Sequence, residues 1–336
     1  MGDEALSKFQ FGVEGTPGSA VAADTMFYGL EMSPLLPDRK PARPRANIGV
    51  KTESAESYFY QYLVSDTMRF PYGYFQVLPV IFSCGIKGGV SPAEQTTDQN
   101  DYLWTFTPSE TATNSHDSIT FERGDNVQAY EAEYLMFERI RISGVVAQGM
   151  DESPVVVEGG FFARQWTPTD FTAALTAPTV NFMNAKLATI AVDTTWAGVG
   201  GTPLTNTLRA FDIELLTGVH PKFFGSAYQY FDSHGEDVIG FIANFTLEGN
   251  SSADGIYDTF RSQALQVVRL TITGPQIGTG DPHSMVLDLG GTWDDVQPMA
   301  EQVNGNNLHR AILVPEYDAT GAKKLALTVT TNVDAI

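Results

Sequence analysis

The chain has one cysteine, Cys84, which excludes an intrachain disulfide framework and a cysteine-based zinc site. Cationic side chains are scarce: 20 lysines and arginines stand against 40 aspartates and glutamates, a formal net charge of -20. A chain so poor in cations lacks the footprint needed to grip nucleic acid by its phosphates. No run of about 18 apolar residues occurs, so no helix is expected to cross a bilayer. The opening residues, Met1 to Lys8, place acids where a secretory leader carries a basic start and an apolar stretch. The expectation is a soluble protein made in a reducing compartment.

Apolar material is plentiful, with 43% hydrophobic and 11% aromatic residues among 336, too much for a disordered acidic chain. At ~150 residues per domain the length suggests two domains. For this mass, surface scaling predicts roughly 13,500 Å² exposed after folding. Both halves are net acidic, so the negative charge belongs to the whole surface rather than to a tail.

The dominant pattern has period two. Ile140 and Ile142 alternate with Arg139, Arg141 and Ser143, and a turn near Gln148–Glu152 leads to a second apolar run from Val155 to Trp166. That reads as a hairpin with one buried face. In the second half, Phe211, Ile213 and Leu215 alternate with Asp212 and Glu214; Phe241, Ala243 and Phe245 with Ile242 and Asn244; Val268, Leu270 and Ile272 with Arg269 and Thr271. Ala311 and Leu313, then Leu325, Leu327 and Val329, suggest a closing hairpin. Short strands separated by Gly and Asp turns predict antiparallel sandwiches or barrels.

Helix is scarce. The best candidate runs from Asp254 to Leu265, with Ser252 or Asp254 as N-cap. A shorter one lies within Tyr74–Phe82, interrupted by Pro79. The first fifty residues are rich in turns and prolines, yet Met26, Phe27, Tyr28, Leu30, Leu35 and Leu36 supply apolar surface. They predict an ordered extended arm that docks on something else. The halves share a grammar of strand pair, short helix and long loop, which suggests duplication.

Catalytic motifs are missing. Ser83-Cys84-Gly85 sits in an apolar run without a nearby histidine and reads as a buried structural thiol. His116, His220, His234, His283 and His309 form no metal-ligand spacing. Gly198 to Pro203 has the glycine content of a phosphate loop but no following helix, and the calcium-like run at Asn250 ends on Arg261 where a glutamate is needed. Acid pairs such as Asp294-Asp295 read as solvated turns. No enzyme activity, cofactor or metal is expected.

Several segments, in order, resemble the tail tube proteins of long, non-contractile-tailed bacteriophages. They are Tyr102-Leu103-Trp104-Thr105-Phe106-Thr107-Pro108, Thr120-Phe121-Glu122-Arg123-Gly124-Asp125, Gln128-Ala129-Tyr130-Glu131 and Arg139 to Gly144. Gly15 to Asp24 is similar to the N-terminal segment of that family, and Phe241 to Gly274 to its strand-helix-strand. The resemblance implies a mainly β chain of two tandem antiparallel sandwich or barrel domains, each with a short helix. The arm would be 1–50 within the first domain, followed by 51–175 and 176–336. It further implies a structural virion protein, assembled in the host cytoplasm, whose copies stack as three-chain rings into a conduit for double-stranded DNA. Its partners would be itself, a tape measure protein and DNA in the lumen without tight binding, and tail tip and terminator proteins at the ends, with no membrane. Asp212 and Glu214 are then candidate lumen-facing acids that keep DNA sliding. Phe27, Tyr28, Leu30, Leu35 and Leu36 are candidate contacts between rings. The alternatives are a capsid decoration protein, a tail terminator, or an acidic carbohydrate-binding or carbohydrate-hydrolysing sandwich.

Overall fold

The computed structural model describes residues 3–147 and 149–336. It is mainly β, as expected. In the first half the strands are β1 (Lys8–Val13), β2 (Thr25–Met26), β3 (Arg39–Ala42), β4 (Tyr58–Tyr62), β5 (Val64–Phe70), β6 (Ala93–Glu94), β7 (Tyr102–Phe106), β8 (Ile119–Gly124), β9 (Ala129–Val145), β10 (Val155–Ala163) and β11 (Thr167–Thr169). Helix α1 (Leu78–Gly85) follows β5. The second half holds β12 (Ala188–Asp193), β13 (Leu208–Leu216), β14 (His220–Lys222), β15 (Ser233–Gly235) and β16 (Gly240–Glu248). Then come helix α2 (Ser251–Ser262), β17 (Gln266–Gln276), β18 (Pro282–Val303), β19 (Asn306–Pro315) and β20 (Leu325–Thr331).

Within one 16-stranded sheet, seven strands run through both halves in the order β5-β10-β9-β13-β16-β19-β18, antiparallel at every step. Registered across them is one row of buried residues: Phe70, Val157, Ile142, Ile213, Ala243, Leu313 and Trp293. The neighbouring row, one residue along, is Arg69, Glu158, Arg141, Glu214 and Ile242. Because successive side chains point to opposite faces, the alternation gives the sheet one apolar and one polar face. Both helices pack on the apolar side: α1 on β9 and α2 on β18.

The helices begin where local chemistry allows. Pro79 lies in the first turn of α1, where its missing N–H has no intrahelical partner to lose. The expected interruption is therefore a start, preceded by a 3-10 turn at Phe75–Val77. Helix α2 starts three residues before the expected Asp254. Its cap is Asn250, whose side chain accepts from the Ser252 and Ala253 amides, rather than Ser252 or Asp254. It ends on Gln263 in the left-handed conformation, short of Leu265.

Another expectation fails. Residues 311–313 and 325–329 do not form a hairpin. Strand β18 is 22 residues long, and its two ends serve different neighbours. Gly291 to Val303 pairs with β19, whereas Ser284 to Leu289 pairs with β20. Strand β20 continues the sheet to β7 of the first half.

One pairing pattern occurs twice. In the first half β1 pairs β8, β8 pairs β9, β9 pairs β10, β10 pairs β5, and β11 pairs the start of β9. In the second, β12 pairs β17, β17 pairs β18, β18 pairs β19, β19 pairs β16, and β20 pairs the start of β18. The hairpins β3-β4 and β14-β15 precede β5 and β16 in corresponding places, as α1 and α2 follow them.

Candidate assembly surfaces

The arm is less free than the prolines imply. Strand β1 is an inner strand between β2 and β8. The turn after it is pinned by the buried Glu14 carboxylate, which accepts from Gly18 N (2.6 Å), Ser118 Oγ (2.6 Å), Thr120 Oγ1 (2.9 Å) and Tyr134 N (2.8 Å). Phe27 stacks on Phe11 with ring centroids 4.4 Å apart and meets Phe70 edge-on. Phe27 and Leu30 are buried within their own chain, so neither is available to another ring. Each is spent on holding the arm down, at about 1.5–3 kcal/mol for a fully buried side chain. Tyr28, Leu35 and Leu36 remain exposed.

Asp212 and Glu214 do share the polar face of the central sheet, but not as free acids. Asp212 clamps Arg141 through two bonds, Nε to Oδ1 at 2.7 Å and a second guanidinium nitrogen to Oδ2 at 2.8 Å. Arg141 also reaches Glu158 at 3.3 Å, and Glu158 is 3.2 Å from Arg69. Glu214 lies 3.8 Å from Arg139. The bonds from Asp212, with Glu158 adding to them, hold the Arg141 guanidinium above its ordinary pKa. Arg69 also meets Glu31 at 2.7 Å, so three arginines face four carboxylates. The alternation marks Arg139 and Arg141 as outward-facing, but only the strand order brings Glu158 and Asp212 to either side of Arg141.

Exposed aromatics form a second surface. Tyr58, Phe59 and Tyr60 on β4 and Phe223, Phe224 and Tyr228 after β14 are all exposed. Gln229 ties the two loops together: its carbonyl accepts from Tyr62 N at 2.9 Å and its side chain donates to Phe59 O at 2.6 Å.

Spacing in the chain hid a histidine contact that the fold creates. His116 and His234 meet edge-to-face, with centroids 5.8 Å apart. His234 Nδ1 lies 3.0 Å from the Tyr134 hydroxyl. Both ring nitrogens of His116 are buried without a hydrogen-bond partner among the described residues. Burial, with His234 adding to it, pulls the His116 pKa down to about 4 despite the opposing pull of Glu236. No group of three or more His, Cys, Asp or Glu side chains that could hold a metal occurs among the described residues. Cys84 is a free, buried thiol whose pKa burial pushes up, the opposite of nucleophile activation.

Compared with known proteins, the chain matches no family model and no curated protein.

Proposed function

We propose that the chain is a structural subunit of a phage tail tube, self-assembling into stacked rings that form a conduit for double-stranded DNA. In this reading residues 1–175 and 176–336 are tandem tube domains, and a ring of three chains presents six similar units. The observation that carries it is the pairing pattern that occurs twice and is fused into one sheet with one apolar and one polar face. A closed wall of such units needs that arrangement: helices and core outside, polar face inside, strands continuous from unit to unit.

Two further observations support the reading. The chain exposes 16,303 Å², roughly 2,800 Å² more than a compact monomer of its mass. That excess exceeds the ~1,600 Å² buried in a standard protein interface. The polar face is also suited to letting DNA slide. Guanidiniums already clamped by carboxylates, as Arg141 is by Asp212, are poor phosphate ligands. Arg310, exposed on the same face and without an ion pair among the described residues, is the exception, so the counterion release that could hold the duplex is small. In this reading the lumen carries largely balanced charge rather than free acids.

Sedimentation across a concentration series tests the proposal. Cooperative conversion of monomer into fast-sedimenting particles is expected. A monomer at every concentration and salt condition would refute it.

A further inference from the structure

The internal joint between the two halves is made by β13, which lies between β16 and the second half of β9, registered from Ala210 opposite Val145 to Leu216 opposite Arg139. The repeated pattern has a counterpart for each member of that joint, but the counterparts do not meet. The second half of β18 corresponds to that of β9. From Asp294 to Val303 its backbone has β19 on one side and no strand on the other among the described residues. The counterpart of β13 is the segment around Glu31, which exchanges both backbone bonds with Arg69 of β5 (2.8 and 2.9 Å) and has no strand on its outer side among the described residues. One chain therefore holds one closed joint and the two separated sides of a second.

We infer that these two sides join between successive copies of this chain, the segment from Gly29 to Leu36 of one copy lying against Asp294–Val303 of β18 in the next. The inference rests on the tube reading and specifies its contact. Such a contact is head-to-tail, so it propagates, and it gives a ring when its rotation closes.

Charge and apolar surface favour a second copy as the occupant. The chain carries few cations, yet Arg39, Lys40, Arg43 and Arg45 follow the segment directly, and the last three make no ion pair among the described residues. Across the joint, Asp294, Asp295 and Glu301 are likewise without an ion pair among the described residues. Leu35 and Leu36 on one side and Met299 on the other are exposed. Pro34 and Pro298 interrupt the donors on each edge, which restrains unguided pairing and keeps the joint short.

The full chain carrying Leu35→Cys and Gln297→Cys, treated with a short bis-maleimide under assembly conditions, tests the inference; Cys84 is buried and silent. Covalent dimers and higher species should form, about ten-fold above a control with Leu35→Cys and Asp258→Cys, because only juxtaposed thiols have a high effective concentration. Leu36→Cys with Met299→Cys provides a second pair should the first misfold, as judged by circular dichroism. Assembly without enrichment over the control in either pair overturns the joint and leaves the tube reading standing. Native chains that neither assemble nor cross-link overturn both.

Discussion

Lowering the pH should expose the cost of burying His116. In the folded chain its pKa is about 4 against an ordinary 6.5. Below pH 6.5 the unfolded chain therefore binds a proton that the folded chain refuses, so stability falls as pH drops from about 6.5 to about 4 and levels off below that. The gap corresponds to at most about 3 kcal/mol, of which about 2 is a realistic share after local relaxation. His234, lowered chiefly by burial and also by Lys222 and His220, adds in the same direction. Carboxylates also titrate in this window, so the comparison is with His116→Phe, which removes the titration while keeping a ring beside His234. Urea denaturation of the unassembled chain at pH 7.5, 6, 5 and 4 should show the parent losing about 2 kcal/mol more than the variant. Parallel stability curves for the two proteins would refute the reasoning.

Other perturbations have comparably definite outcomes. Phe27→Ala removes the ring stacked on Phe11 and should cost about 3–5 kcal/mol by thermal or chemical denaturation; a loss under 1 kcal/mol would mean that the arm is not docked. Asn250→Ala deletes the cap of α2, at about 1 kcal/mol, whereas Ser252→Ala should be nearly neutral. Asp212→Asn, at an exposed pair, should cost less than about 1 kcal/mol. It should nevertheless leave Arg141 with only its longer Glu158 contact and raise the affinity of assembled particles for duplex DNA in low salt, read by co-sedimentation.

The strands were legible because their alternation is a local consequence of facing a core on one side. Ile140/Ile142, Ile213/Leu215 and Phe241/Phe245 each fix which face is buried, and the fold keeps those faces. Strand order was not legible, since it depends on contacts between residues far apart in the chain. Residues 311–313 and 325–329 read as partners because they are neighbours in sequence, while the 22-residue length of β18 lets both pair with it at opposite ends. The same limit governed the surfaces. Phe27 and Leu30 looked like contact residues because they put apolar surface on a turn-rich arm, but Phe11, Phe70 and Phe121 enclose Phe27 from distant strands. Asp212 and Glu214 were correctly placed away from the core, and their arginine partners became visible only with β9 beside β13. The repeat, faint in residue identity, is visible in the strand pairings because strand order does not depend on matching residue types.

Electron microscopy of the assembled protein viewed end-on tests the central claim most directly. Averages should show a hollow ring with six similar density units contributed by three chains. Solid or unclosed particles, or a ring whose number of units is not twice its number of chains, would contradict the account.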